Sequence, residues 1–495
     1  MLAISRRLRR AYRAFRLGAS VSGSASYHEA AGSARRLKPW DPTSADISTI
    51  ASMDGDMLLR RARQLVSADG YAASAKKEWT AGLVGTGIRP ASTLPDRAQR
   101  DGVRRLWMRW VEEADADGQL DFYGIQDVVA GALFDAGEVF LRLRSRRPSD
   151  GLSVPLQLQL LEAEHLDRSY HTTLPGGHQV KSGIEFDLIG RRVAYWFWES
   201  HPGDGLSTLR STLRRRVPAD HVLHVYQVTR PGQIRGLPAI VPGMVRLHLL
   251  GSYDDAELDR KRVAALVAGF IQSPEEYGEG NEFTNEQPDP TSEGTALAEW
   301  APGSLLTLRP GEEVKFSEPT DVGPSYEAFQ YRNLLAVAAA FGVPYSSMTA
   351  DVSKANYSSL RAEMVHHRRR VQRIQQKTLV FQLCRPVWRR FVETAVLAGA
   401  LDVDPAEARR LVTWIPSKWD WVDPLKDRQA EKLAVGMAVK ARSAVIIEEG
   451  GDPEEVDQQI AEDQARADRL GLQMDAADQA SDAGDIEPDR VRAAS

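Results

Sequence analysis

The densest chemistry in this sequence is a run of cations. Between Lys354 and Val392 there are ten lysines and arginines and one acid, Glu363. Arg369, Arg373 and Lys377 recur at steps of four, which puts them on one helical face. A stripe of this kind attracts a polyanion, and duplex DNA carries one negative charge per ~1.7 Å of axis. A solvated face, paired with acids from another chain, is the equal alternative at this level.

Catalytic spacings are missing. The dipeptide Gly-Lys does not occur, so there is no phosphate-cradling loop of the usual ATPase kind. Neither Gly-x-Ser-x-Gly nor His-Glu-x-x-His is present. His221 and His224 lie three apart in a strand-like stretch and face opposite sides. His366 and His367 are adjacent on a helix and diverge. Asp254 with Asp255 and Asp420 with Asp423 are the best carboxylate pairs for a two-metal site, and no histidine completes either nearby. The reading is therefore no catalytic residues, no metal and no cofactor. A metal-dependent DNA-processing enzyme using Asp420 and Asp423 is the rival from another class, and a monomeric helical adaptor is a third.

The elements that must position the stripe are legible as patterns. Residues 54–82 and Asp96 to Ala114 have helical periodicity, separated by a turn-rich break from Thr80 to Pro90. Alternating stretches follow at 139–144 and 156–161. Ile184 to Ile189, Val193 to Glu199 and His221 to Val228 are further strand candidates, with turn residues between them. This is an α+β arrangement with an antiparallel or mixed sheet. Ile240 to Ile271 reads as a long helix, 273–302 as an exposed insertion, and Ser325 to Phe341 as a helix stopped by Gly342 and Pro344. Residues 342–357 read as a short irregular segment. Ser358 to Ala398 reads as one long helix with Ile374, Phe381 and Trp388 repeating every seven residues, and Pro386 predicts a break between Gln382 and Pro386. Asp404 to Trp414 and Pro424 to Leu472 complete the helical half, and 475–495 is expected to be disordered.

Composition sets the outer bounds. The chain has 495 residues, 42% hydrophobic and 26% charged, enough to bury a core. Its longest apolar run, Leu334 to Tyr345, is 12 residues, against roughly 20 for a membrane span. Cys384 is the only cysteine, which excludes a disulfide framework. The net charge of -5 is polarised. Residues 1–40 carry nine Lys/Arg against Glu29, and from Glu448 onward 15 acids face four arginines. A basic head and an acidic tail point to polyanionic or acidic partners, or to two solvated ends.

Several local strings resemble the lambda-type portal proteins of tailed bacteriophages. They are Trp40-Asp41-Pro42, Asp69-Gly70-Tyr71-Ala72, Leu161-Glu162-Ala163-Glu164-His165-Leu166-Asp167 and His201-Pro202-Gly203-Asp204. The more specific ones follow: Arg230-Pro231-Gly232-Gln233-Ile234-Arg235-Gly236-Leu237-Pro238, Asn356-Tyr357-Ser358-Ser359-Leu360-Arg361 and Trp419-Asp420-Trp421-Val422-Asp423-Pro424-Leu425-Lys426. They keep the family's order over roughly residues 27–472.

The resemblance implies a non-enzymatic subunit of a ring, usually dodecameric, at one capsid vertex. Double-stranded DNA enters through the ring during packaging and leaves through it at infection. Implied partners are further copies of the chain, the terminase large subunit, capsid and scaffold protein and a head-tail connector, with no membrane. The implied location is the virion, and the host cytoplasm during assembly. The implied fold is an α+β wing, long stem helices, a small clip and a helical crown. By order, 1–45 is a basic flexible arm and 46–324 the wing. Residues 325–392 hold the paired stem helices with the clip around 342–357, 393–425 holds a tunnel-facing loop and the return to the wing, 426–474 is the crown and 475–495 the tail. Channel candidates are then Lys354, Arg361, Arg368, Arg369, Arg373 and Lys377. The structural positions of the motifs are Arg230, Gly232, Gln233, Arg235, Gly236, Asn356, Tyr357, Trp421, Asp423 and Pro424.

Overall fold

The computed structural model describes residues 42–206, 213–265, 269–272, 313–316, 325–419 and 424–472. Most of the basic arm, the 273–302 insertion, the acidic tail, Asp420, Trp421 and Asp423 lie outside the described residues.

Two helices open the fold, α1 (Ile47–Ala68) and α2 (Gly70–Leu83). Asp69 separates them: its backbone is extended, and its carboxylate accepts from Ala72 N to cap α2. Strand β1 (Arg89–Ser92), α3 (Arg97–Glu113, capped by Asp96) and α4 (Phe122–Asp135, capped by Asp121) follow. A three-stranded antiparallel sheet runs β3-β2-β9, from β2 (Glu138–Ser145), β3 (Leu156–Leu161) and β9 (Val222–Tyr226). A five-stranded antiparallel sheet is built in chain order from β4 (Thr172–Thr173), β5 (Gln179–Lys181), β6 (Ile184–Phe186), β7 (Arg192–Trp198) and β8 (Arg214–Pro218). β6 is shorter than its hydrophobic run suggests. The Asp187 carboxylate takes the amides of Ile189 and Arg191 and turns the chain there.

Helix α5 (Val241–Ala265) ends before Ile271. The expected helical stretch is instead strand β10 (Gly269–Gln272), paired antiparallel with β11 (Glu313–Phe316). A distant partner strand overrides local periodicity here. Helix α6 (Ser325–Phe341) lies along α5. Tyr253 meets Phe329 at 5.2 Å between ring centres, and Tyr326 Oη donates to Asp254 at 3.0 Å. Within one copy α6 therefore packs on α5, whereas chain order suggested the 358–392 helix as its partner. Residues 342–357 contain a short helix, α7 (Tyr345–Thr349).

The long helical run divides into α8 (Tyr357–Ile374), a π-helical segment (Gln375–Cys384) and α9 (Arg385–Leu397). The change of pitch starts at Gln375, upstream of the expected break at 382–386, and the run stays helical. In the wider π turn Arg385 N donates to Val380 O, and Pro386 then falls in the first turn of α9. The phase shift also turns Phe381 outward, 60% exposed, while Ile374 and Trp388 stay buried. The seven-residue row read from the sequence is thus broken at its middle member.

Between α9 and residue 415 only Pro405–Ala408 is helical (α10), and Val412–Ile415 forms β12 against β1. The helix expected over 404–414 yields to this pairing. Leu401, Val403, Ala408, Trp414 and Ile415 are buried. The 401–415 part of the expected loop region is thus packed into the core. Helices α11 (Pro424–Gly436), α12 (Arg442–Glu448) and α13 (Pro453–Leu470) close the described chain.

The main core joins the early helices to the late run. Trp107 on α3 lies 5.4 Å from Phe122, 5.2 Å from Trp388 and 5.0 Å from Phe391. This aromatic cluster fixes one face of α9 inward. The opposite face is thereby committed to solvent.

Candidate functional site

The Arg-Pro-Gly-Gln-x-Arg-Gly loop is a buried polar keystone. Arg235 is fully buried and reaches Glu138 on β2, also fully buried, with Nε–Oε1 2.8 Å and Nη2–Oε1 2.5 Å. Its remaining donors go to the carbonyls of Ser182 and Ala163. Glu138 also accepts from Arg168 Nη2 at 2.8 Å, Gly236 N at 2.8 Å and His224 Nε2 at 3.0 Å. One carboxylate therefore ties β2, β9, the 163–168 segment and the β5–β6 hairpin together.

Burial opposes ionisation of Glu138, but Arg235, Arg168 and His224 together outweigh it and hold the carboxyl well below the usual carboxylate range. Burial pushes His224 down to about 4 against the pull of Glu138, so it donates as a neutral ring. Gln233 Oε1 gathers the amides of Thr229 and Arg230, and its amide donates to Arg235 O. Gly236 has no room for a side chain: a Cβ there would lie 2.1 Å from Gly137 O. Gly232 sits at φ +79° in open space, and its carbonyl accepts from Ser48. The contacts of Arg235 and Gln233 and the backbone at Gly232 and Gly236 thus shape the loop, and Arg230 is exposed with its backbone in the same turn. Sequence reading missed Glu138, Arg168 and His224. The available signal was a glutamate directly ahead of the apolar run Val139-Phe140-Leu141.

Asn356 caps α8. Its side chain accepts from Ser359 N while the Ser359 hydroxyl receives the Asn356 amide, and Tyr357 opens the helix half-exposed. Pro424 begins α11. The six basic candidates divide into two groups. Lys354 pairs with Glu327 at 2.7 Å and lies over the Tyr331 ring, and Arg361 pairs with Asp427 at 3.0 Å. Arg368 stacks on Trp419 at 5.4 Å. Arg369, Arg373 and Lys377 are exposed and meet no carboxylate among the described residues. The structure brings the last three together as one outward stripe.

Of the histidine pairs, His221 ends a 3-10 turn ahead of β9 and only His224 lies in the strand, and the adjacent His366 and His367 diverge. His366 is exposed while His367 is buried, 3.5 Å from Glu78, and burial lowers its pKa. Asp254 is engaged by Tyr326 and Gln330. One other cluster has ligand-like composition: Glu162, Glu164 and His201 converge within 4.8 Å. Arg63 occupies it, 2.6 Å from Glu164 and 3.3 Å from Glu162. The Gly203 amide donates to His201 Nδ1, so the ring proton sits on Nε2, which faces Glu162 at 3.0 Å. A protonated Nε2 is not a metal ligand. The cluster is an ion-pair knot between α1 and the loops after β3 and β7. No helix among the described residues is long and apolar enough to cross a membrane.

The chain was compared with known proteins. The chain is 28% identical over 438 residues to the probable portal protein of Halomonas phage phiHAP-1, covering 86% of this chain and 83% of that one. It is 22% identical over 497 residues to portal protein B of Escherichia phage lambda, covering 90% and 91%. A chain in the neck of a native gene transfer agent particle is 16% identical with a TM-score of 0.46, covering 81% of this chain and 94% of that one. The sequence model for phage portal proteins of the lambda family matches residues 33–375, and the chain belongs to that family.

Proposed function

We propose that this chain is one wall segment of a portal. Copies close head-to-tail into a ring at one capsid vertex, duplex DNA enters and leaves through the ring, and terminase and a head-tail connector dock on it. The observation that carries this reading is the family match over residues 33–375. The chain is a structural part of the phage particle, and no observation favours the Asp420/Asp423 enzyme. Its assembly with capsid and scaffold protein takes place in the host cytoplasm.

The physics of such a ring favours few, exchangeable phosphate contacts. Neutralising many phosphates would hold the duplex tightly and make binding steeply salt-dependent. Contacts to phosphates are also blind to sequence, as a translocating channel requires. Arg369, Arg373 and Lys377 suit this role because no acid among the described residues neutralises them. Lys354 and Arg361 suit it less, since Glu327 and Asp427 already do.

The paired stem helices are best assigned to α5 and α6, whose packing is intimate, with β10–β11 as the described part of the clip they carry. The exposed turn at Val352–Lys354, just ahead of α8, is then the candidate for the tunnel-facing loop. The wing keeps α1–α4, both larger sheets, the α8–α9 run and β12, and the crown keeps α11–α13.

Native mass spectrometry tests the assembly: a ring of about a dozen copies is expected from a closed head-to-tail interface. Single copies under every assembly condition would refute it. In a packaging assay, the triple variant Arg369→Gln, Arg373→Gln, Lys377→Gln should leave rings intact and lower packaged DNA. Loss of rings instead would reassign the stripe to the subunit interface.

A further inference from the structure

The cation run does not end at Lys377. Arg369, Arg373, Lys377, Phe381, Arg385 and Arg389 follow one another at steps of four, and all are exposed. In an uninterrupted α-helix each such step advances by about 40°, so the row would wind to the far side. The π segment spans the middle of the row, and its wider i→i+5 turn cancels much of that drift. The row spans at most ~30 Å at helical rise.

At its far end the row opens into a shallow recess of about 280 Å³ lined by Arg385, Arg389, Arg409, Arg410, Trp388 and Val412. No acid lines it. Arg409 is held by Glu393 at 2.5 Å and by Pro405 O, and Arg410 is held by Ala406 O at 3.0 Å. Arg385 and Arg389 meet no carboxylate among the described residues. Trp388 is buried behind them, with its indole N–H on Ala408 O at 3.0 Å, so the wall is rigid. With Arg409 neutralised by Glu393, the guanidiniums of Arg385, Arg389 and Arg410 around one concavity still repel one another unless an anion joins them. Guanidinium forks match phosphate oxygens bidentately.

We propose that the Arg385, Arg389, Arg409 and Arg410 recess is a phosphodiester-binding site that extends the Arg369–Lys377 stripe and engages duplex DNA without regard to sequence. The inference rests on the reading that DNA meets this protein. A duplex is the favoured ligand because its charge spacing of ~1.7 Å can supply the whole row, whereas a single carboxylate would neutralise one fork.

The test uses the full-length protein and a short fluorescein-labelled duplex, read by anisotropy between about 50 and 200 mM salt. Polyglutamate and inorganic phosphate serve as separate probes. The double variant Arg385→Gln/Arg389→Gln should weaken duplex binding about tenfold and lower the log–log salt slope by about 1.8, for two lost phosphate contacts. Arg369→Gln/Arg373→Gln is measured in parallel. An unchanged slope in the recess variant, with a wild-type melting curve, overturns the proposal, and the channel reading survives if the stripe variant still weakens binding. No effect in either variant sinks both readings. Selective loss of polyglutamate binding would assign the recess to an acidic protein. Selective loss of phosphate competition, with duplex binding intact, would make it a free-phosphate site; either result overturns the proposal.

Discussion

Replacing Glu138 by Gln keeps the shape of the keystone and removes its charge. Arg235, fully buried, then loses its only carboxylate among the described residues, whereas Arg168 retains Asp56 at 3.2 Å. Breaking one side of a buried ion pair costs about 3–5 kcal/mol, because an uncompensated charge stays inside. At 2–4 °C per kcal/mol for a unit of this size, the melting point should fall by roughly 10 °C. The same network sets the acid response. In the unfolded chain His224 and Glu138 take up protons at ordinary values of 6.5 and 4.5, whereas in the folded chain both values are lowered. The unfolded state therefore binds more protons, and stability falls as pH falls. The first window runs from 6.5 to about 4 for His224 and is worth up to ~3 kcal/mol. The second opens below 4.5, as Glu138 approaches its lowered value. Urea unfolding of wild type and Glu138→Gln from neutral to mildly acidic pH measures both. A variant within about 1 kcal/mol of wild type at neutral pH, or one that keeps the lower window, would refute the network's assigned weight.

The glycines of the motif loop should separate by mechanism. Gly232→Ala meets only the left-handed backbone penalty of about 1–2 kcal/mol, whereas Gly236→Ala drives a Cβ to 2.1 Å from Gly137 O and should prevent the wing from folding, as read by soluble yield and near-UV dichroism. The contact of α13 with α3 should be salt-labile. It rests on Arg100–Glu454 at 2.6 Å and Arg104–Glu455 at 2.8 Å, and Ala467 is the only buried residue in α13. Such pairs contribute about 0–1 kcal/mol each, so raised salt or Arg100→Ala/Arg104→Ala should speed proteolysis near residues 450–470 while the wing stays intact.

The local rules reached much of this molecule. Asp96, Asp121 and Asn356 cap helices because a short polar side chain satisfies free amides wherever it precedes an amphipathic run. The strands around β2, β3 and β7 declare themselves by alternation, and the Arg369–Lys377 stripe by its step of four. The sequence strings also named the family, because the motif loop's glycines and arginine answer to steric and charge demands that few residues meet. Three things were decided only in three dimensions. Glu138 gains meaning from Arg235, which lies 97 positions away. Helix α6 pairs with α5 because Tyr253, Tyr326 and Phe329 stack there, which chain order does not encode. Arg385 and Arg389 meet Arg409 and Arg410 because the Trp107–Trp388–Phe391 core anchors α9 and the β1–β12 pairing brings the returning chain alongside. Helical phase depends on every turn before it, so a π segment that local periodicity does not reveal was enough to move Phe381 outside.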